Sequence, residues 1–154
     1  MRNHITLMVE AVATVRATYP NMTDEQNDFI QIASEHAMTS IATTGLNNAI
    51  ENAREDGTDE SKVRDLFTLN NLTPDSAYEI VRDVARMVMH TWNIPPKYEA
   101  GQFGHDFVMT RNEEGCGYWD GGYPNDGEYL TMIAKRFLPW HCTADKGGIH
   151  VYAM

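Results

Sequence analysis

Between residues 104 and 124 the chain reads GHDFVMTRNEEGCGYWDGGYP, and most of its reactive side chains fall in or near that stretch. His105 and Asp106 supply a base and a carboxylate. Arg111 supplies a planar cation that can grip a phosphate or carboxylate through two parallel bonds. Cys116, between two glycines, becomes a nucleophile only if a base or a helix start lowers its pKa. His141 or His150, from a later segment, could serve as that base. An enzyme reading therefore requires His105, Asp106, Arg111 and His141 to converge on a phosphate-containing small molecule. If residues 106 to 110 form a strand, His105 and Asp106 point to opposite faces and cannot orient each other.

Each residue also has a structural role open to it. His105 can bond a carbonyl, and Asp106 can accept backbone amides or pair with Arg111. Asn112 suits a turn position that takes positive φ, and Cys116 suits close packing. Trp119 packs against Phe107 or Met109 if buried, and with Asp120 forms an interface anchor if exposed. His105, Cys116, His141, Cys142 and His150 offer metal donors, but none of the paired spacings typical of metal sites occurs. The glycine-rich GGYPNDG lacks the Lys-Ser/Thr of a phosphate loop. Neither a metal nor an organic cofactor is expected.

The elements that would position these residues can be read from periodicity and capping. Ile5, Met8, Val9, Val12 and Val15 recur at helical spacing up to Tyr19-Pro20. Thr23 with Gln26 forms a capping box, opening a helix with Phe29, Ile30, Ala33, Ala37 and Ile41 on one face and an expected end near Gly45. A third, polar helix is expected up to Gly57 and a fourth from Glu60 to Leu69. Thr73-Pro74 opens a fifth, which turns Ile80, Val81, Val84, Val88 and Trp92 inward. After Pro95-Pro96 glycine and aromatics increase. DFVMT and CGYWD read as the arms of a hairpin, followed by a short helix with Leu130, Ile133, Ala134 and Phe137, and then a second hairpin around Asp145 to Gly148. The expected fold is α+β: a helical part over 1–98 packed on a ββαββ module over 99–154, in one compact unit.

The second part carries a resemblance. Gly104-His105-Asp106-Phe107, Thr110-Arg111-Asn112, Gly115, Gly117-Tyr118-Trp119-Asp120, Gly127, Leu130-Thr131 and Ala134-Lys135 resemble a module of small phage and mobile-element proteins. The resemblance covers about a third of the chain. It implies a phage-encoded accessory protein directed at host machinery, and it brings no established activity with it. Where that pattern places a histidine in the turn, this chain has Glu113-Glu114, so a base at that position is absent here.

Charge narrows the partners. The 154 residues carry a net charge of -10, with a pI near 4.9, and the resulting field repels nucleic acid. The run 51–65 holds six acids against three bases. Glu51, Glu55, Asp56, Asp59, Glu60 and Asp65 serve solubility, or imitate a run of phosphates toward a basic host protein. The apolar N-terminal stretch, interrupted by Glu10 and Arg16, reads as neither a leader nor a membrane span. Two cysteines outside a disulfide framework point to the cytoplasm. The expected function is host-factor binding that inhibits or redirects the partner, with contacts also from Arg111, Asn112, Trp119 and Asp120. The small-molecule enzyme and an oligomerising module stand as alternatives.

Overall fold

The computed structural model describes residues 3–154. Its order is α1 (His4–Arg16), α2 (Asp24–Asp56), α3 (Glu60–Leu66), α4 (Pro74–His90), α5 (Ala100–Arg111), α6 (Gly127–Ala134), β1 (Trp140–Asp145) and β2 (Gly148–Ala153). The fold is α+β, with a helical N-terminal part and a two-stranded antiparallel sheet at the C-terminus. No helix among the described residues is long and apolar enough to cross a membrane.

The capping signals act as expected. Thr23 accepts from Gln26 N while the Gln26 side chain accepts from Thr23 N, opening α2. Thr73 accepts from Ser76 N, opening α4 with Pro74 in its first turn. The expected break at Gly45 does not occur, so the second and third predicted helices are one helix of 33 residues. Gly45 answers a packing need instead. A β-carbon there would lie 2.8 Å from Cys142 Sγ and 2.9 Å from the Phe67 ring. The fourth predicted helix ends at Leu66, and a 3₁₀ turn over Leu69–Asn71 follows.

The larger correction concerns residues 100–120. DFVMT is not a strand and CGYWD is not its return, so the first hairpin of the expected ββαββ module is absent; only the second hairpin forms. Residues 100–111 are α5, opened by Glu99, whose carboxylate accepts from Gly101 N and Gln102 N at 2.8 and 2.6 Å. Nearly every position of α5 from Phe103 onward is buried, so no polar stripe betrays the 3.6-residue period. Gly101 and Gly104 further weaken its local helix propensity.

Helix α2 is the hub against which α1, α4, α5 and β1 pack, while β2 packs on α4. One continuous apolar core runs from Leu7 and Met8 through Ile30, Met38, Ile80 and Val84 to Phe107, Leu130 and Ile149. The hairpin is tied to the start of α4. Val151 N donates to Ser76 Oγ at 2.8 Å, and Thr73 N donates to Ile149 O at 3.2 Å.

Helices α2 and α5 approach so closely that a β-carbon on Gly104 would fall 2.0 Å from the Ala33 carbonyl oxygen. That oxygen is backbone and can yield only if the helices separate. Gly57, by contrast, sits at φ +72 with open space around it. Gly104→Ala is expected to lower stability by about 3 kcal/mol through overpacking. Gly57→Ala should cost only about 1 kcal/mol, from the left-handed backbone. Urea unfolding of both variants checks the order.

Candidate functional site

The candidate residues of α5 are separated by the helix itself. At about 100° per residue, Asp106 points about 100° to one side of His105 and Arg111 about 120° to the other. Each side chain accordingly meets a different neighbour.

His105 turns toward α2, where its Nδ1 lies 2.6 Å from Ser40 Oγ. Ser40 donates its single proton to the His36 carbonyl at 2.9 Å.

Asp106, only 4% exposed, neither bonds backbone amides nor pairs with Arg111. Its carboxylate accepts from the Tyr123 hydroxyl at 2.7 Å and from Gln102 Nε2 at 2.9 Å. Burial raises its pKa above the ordinary 3.8, while the bonds from Tyr123 and Gln102 act in the opposite direction. It stands at the back of a cleft of about 430 Å³, with Tyr98, Glu99, Cys116, Asp120 and Tyr123 among the walls. The acids of this cleft are already engaged. Glu99 caps α5, and Asp120 accepts from Gly117 N at 2.8 Å. Tyr98 donates to Asp126 at 2.7 Å, and burial together with that bond pushes its hydroxyl up to about 12.

Arg111 lies in the interior, 2% exposed. Nη1 donates to Asp83 on α4 at 2.9 Å, while Nε, at 2.9 Å, and Nη2 both donate to the Leu138 carbonyl. The guanidinium lies 3.7 Å from the centre of the Trp140 ring and is flanked by Phe137 and Phe107. Burial lowers its pKa and Asp83 raises it. Such an arginine offers nothing to a ligand.

Asn112 is not the positive-φ turn residue; that role falls to Glu113 at φ 55. The Asn112 carboxamide instead accepts from Trp140 N at 2.8 Å and donates to Trp140 O at 3.1 Å, taking the place of a neighbouring strand at the start of β1.

His141 stacks on Tyr152 across the hairpin, with ring centres 5.6 Å apart. It borders a separate groove with Thr44, Asn48, Asn112 and Glu114. His150 pairs with Asp145 at 3.0 Å. Trp119 is not core: it is 43% exposed. The buried aromatic of that segment is its neighbour Tyr118, whose hydroxyl donates to Phe103 O at 2.9 Å while its N–H donates to Thr110 Oγ1. Cys116 is exposed, and burial pushes the Cys142 thiol up to about 11.

His105, Asp106, Arg111 and His141 therefore serve four different neighbourhoods. Sequence reasoning missed Asp83, Gln102 and Tyr123 as their partners. Asp83 left a trace: it lies among Ile80, Val81, Val84 and Met87, all buried, and an acid on an apolar face requires a cation.

The acidic run is different. Glu51, Glu55, Asp56, Asp59 and Asp65 are exposed along the end of α2, the turn at Gly57 and α3. Arg54 pairs with Glu60 at 2.6 Å, and Arg64 approaches the same carboxylate at 3.9 Å. Glu60 is the only carboxylate of the run in an ion pair among the described residues, although Asp59 also accepts from Ser61 to cap α3. No family model, curated protein or solved structure shows significant similarity to this chain.

Two outcomes are expected. Arg111→Ala leaves Asp83 buried without its interior partner and should cost about 3–5 kcal/mol in chemical denaturation. For Asp106 the sign is the reverse of the usual carboxylate. Its folded pKa is raised, so stability is full below 3.8, where folded and unfolded states both hold the proton, and is lost as pH rises through the folded value. Asp106→Asn should therefore gain on the wild type as pH rises from below 3.8 toward neutrality, read as the difference in Tm. A gap that does not change with pH would remove burial as the cause.

Proposed function

We propose that this protein acts by binding. It is a phage-type accessory protein whose acidic end docks on a basic host factor, such as a nucleic-acid-handling or defence protein, in the cytoplasm of an infected bacterium. The observation that carries the reading is the run from Glu51 to Asp65, where exposed carboxylates stand on two packed helices with one ion-paired acid among them. The resemblance of residues 104–135 to phage and mobile-element modules supports the setting.

Physical reasons favour this surface over the rest. Helix α2 is about 50 Å long at 1.5 Å per residue, and its far end is held by contacts with α3. The Gly57 turn closes on Ala53 O, and Asp59 caps α3. The backbone beneath these charges is held in this way, so association does not have to order it. Such an interface gains much of its association rate from charge and weakens with salt. The enzyme alternative has lost its main support, because Arg111 is consumed inside the fold. Trp119, 43% exposed, is available as an apolar anchor.

The test compares wild type with Glu51→Lys/Glu55→Lys/Asp56→Lys/Asp65→Lys; Asp59 is spared because it caps α3. Both tagged proteins are passed over bacterial lysate at low salt and eluted with a salt gradient. The expected result is one basic protein bound stoichiometrically to wild type, released by salt, and reduced at least about tenfold by the charge reversal. Absence of a stoichiometric partner, or capture indifferent to the four lysines, would overturn the proposal.

A further inference from the structure

Two arginines and a histidine line a notch on this otherwise acidic chain. Arg86 and His90, one turn apart near the end of α4, face Arg136 across a depression of about 330 Å³ floored by Ile133 and Phe137. No carboxylate lines it. We propose that this notch is a binding site for a small amphiphilic oxyanion, a carboxylate or phosphate monoester carried on a compact apolar or aromatic body. The site is separate from the acidic run and does not rest on the reading of it.

The charge count around α4 favours an anion. Asp83 is shared by three guanidinium groups: Oδ2 holds Arg111 at 2.9 Å, and Oδ1 lies 3.3 Å from Arg82 and 3.6 Å from Arg86. Arg82 has its own closer partner in Glu79 at 2.6 Å. Arg86 is the outermost and most weakly held of the three, and its side chain is 56% exposed. Arg136 and His90 make no side-chain hydrogen bond or ion pair among the described residues. Arg86 therefore shares Asp83 with two other guanidinium groups, and the charge of Arg136 has no carboxylate partner among the described residues.

The floor is equally specific. Ile133 is buried in the core, and Phe137 packs edge-on against Phe107 at 5.0 Å. The floor is thus well packed and apolar, and Arg86 and Arg136 line the same depression. Guanidinium recognises a carboxylate or phosphate through paired parallel bonds, while an apolar body gains by covering ring and aliphatic surface. An inorganic anion would use only the first contribution, and an uncharged arene only the second. The volume suits a single aromatic ring with its charged group, at the small end of ligand sites.

The experiment titrates the full chain with phenyl phosphate and, in a second arm, benzoate, by calorimetry and by amide and side-chain NMR shifts. Inorganic phosphate and benzyl alcohol are the controls. Expected are saturable binding of at least one aryl anion, shifts centred on α4 and α6, and affinity above both controls. Arg86→Gln/Arg136→Gln should weaken binding at least about tenfold. Both positions are exposed, so unchanged circular dichroism and Tm certify the fold; Arg136→Gln alone provides a milder variant with the same expected direction. The stronger arm separates carboxylate from phosphate as the preferred charge. Absence of saturable binding in both arms would overturn the proposal, as would equal binding by the double variant. Inorganic phosphate binding as tightly as phenyl phosphate would exclude the apolar floor and with it the assigned ligand class. Charge reversal of Glu51, Glu55, Asp56 and Asp65 should leave this binding intact.

Discussion

The C-terminal part is arranged around one buried guanidinium. Arg111 joins three separate pieces of chain: Asp83 of α4, the end of its own helix α5, and the Leu138 carbonyl at the entry to β1. Trp140, Phe137 and Phe107 close over it, excluding water from the pair. A charge in such a place is tolerated only because its hydrogen bonds are met and an opposite charge lies beside it. The geometry is correspondingly unforgiving. Residues 137–140 must return to the end of α5, and once they do, Asn112 meets the backbone of Trp140 and sets where the hairpin begins.

A second constraint is the close approach of α5 to α2 at Gly104. It brings Phe103 and Phe107 into the core and leaves Asp106 facing the loop that follows. That loop has little regular structure, yet Tyr118 and Tyr123 hold it from within through Phe103 O and Asp106. The aromatic rings of Tyr98, Phe103, Tyr118 and Tyr123 pack together at 4.6 to 6.4 Å between centres. The polar residues of the central stretch are thus used to fasten a glycine-rich segment to a helix. Internal use of this kind accounts for their density without any catalytic demand.

With the interior committed, the groups left to meet other molecules lie at the surface. They are of opposite kinds: exposed carboxylates across the end of α2 and α3, and the exposed guanidinium groups of Arg86 and Arg136 where the end of α4 meets the segment after α6. Opposite charge placed on different helices of one rigid core lets the two regions be altered independently.

The ends of α2 and α4, the hairpin at Asp145 to Gly148 and the stripe of α6 were all legible in the sequence, because capping hydroxyls, prolines and short periodic runs act over a few residues. Exposure of the acidic run was legible for the same reason: clustered carboxylates cannot be buried. Local signals failed where distant chain decided the outcome. Gly45 reads as a helix stop until Cys142 and Phe67 are seen against it. DFVMT reads as a strand because a helix buried on nearly all sides has no polar face to reveal its period. Likewise the roles of His105, Asp106 and Arg111 depend on Ser40, Tyr123 and Asp83, which lie 65, 17 and 28 positions away in the chain. Sequence alone determined the class of fold and its acidic face. Tertiary structure alone decided which polar residues were taken into the core, because that choice is made by partners that only the folded chain brings together.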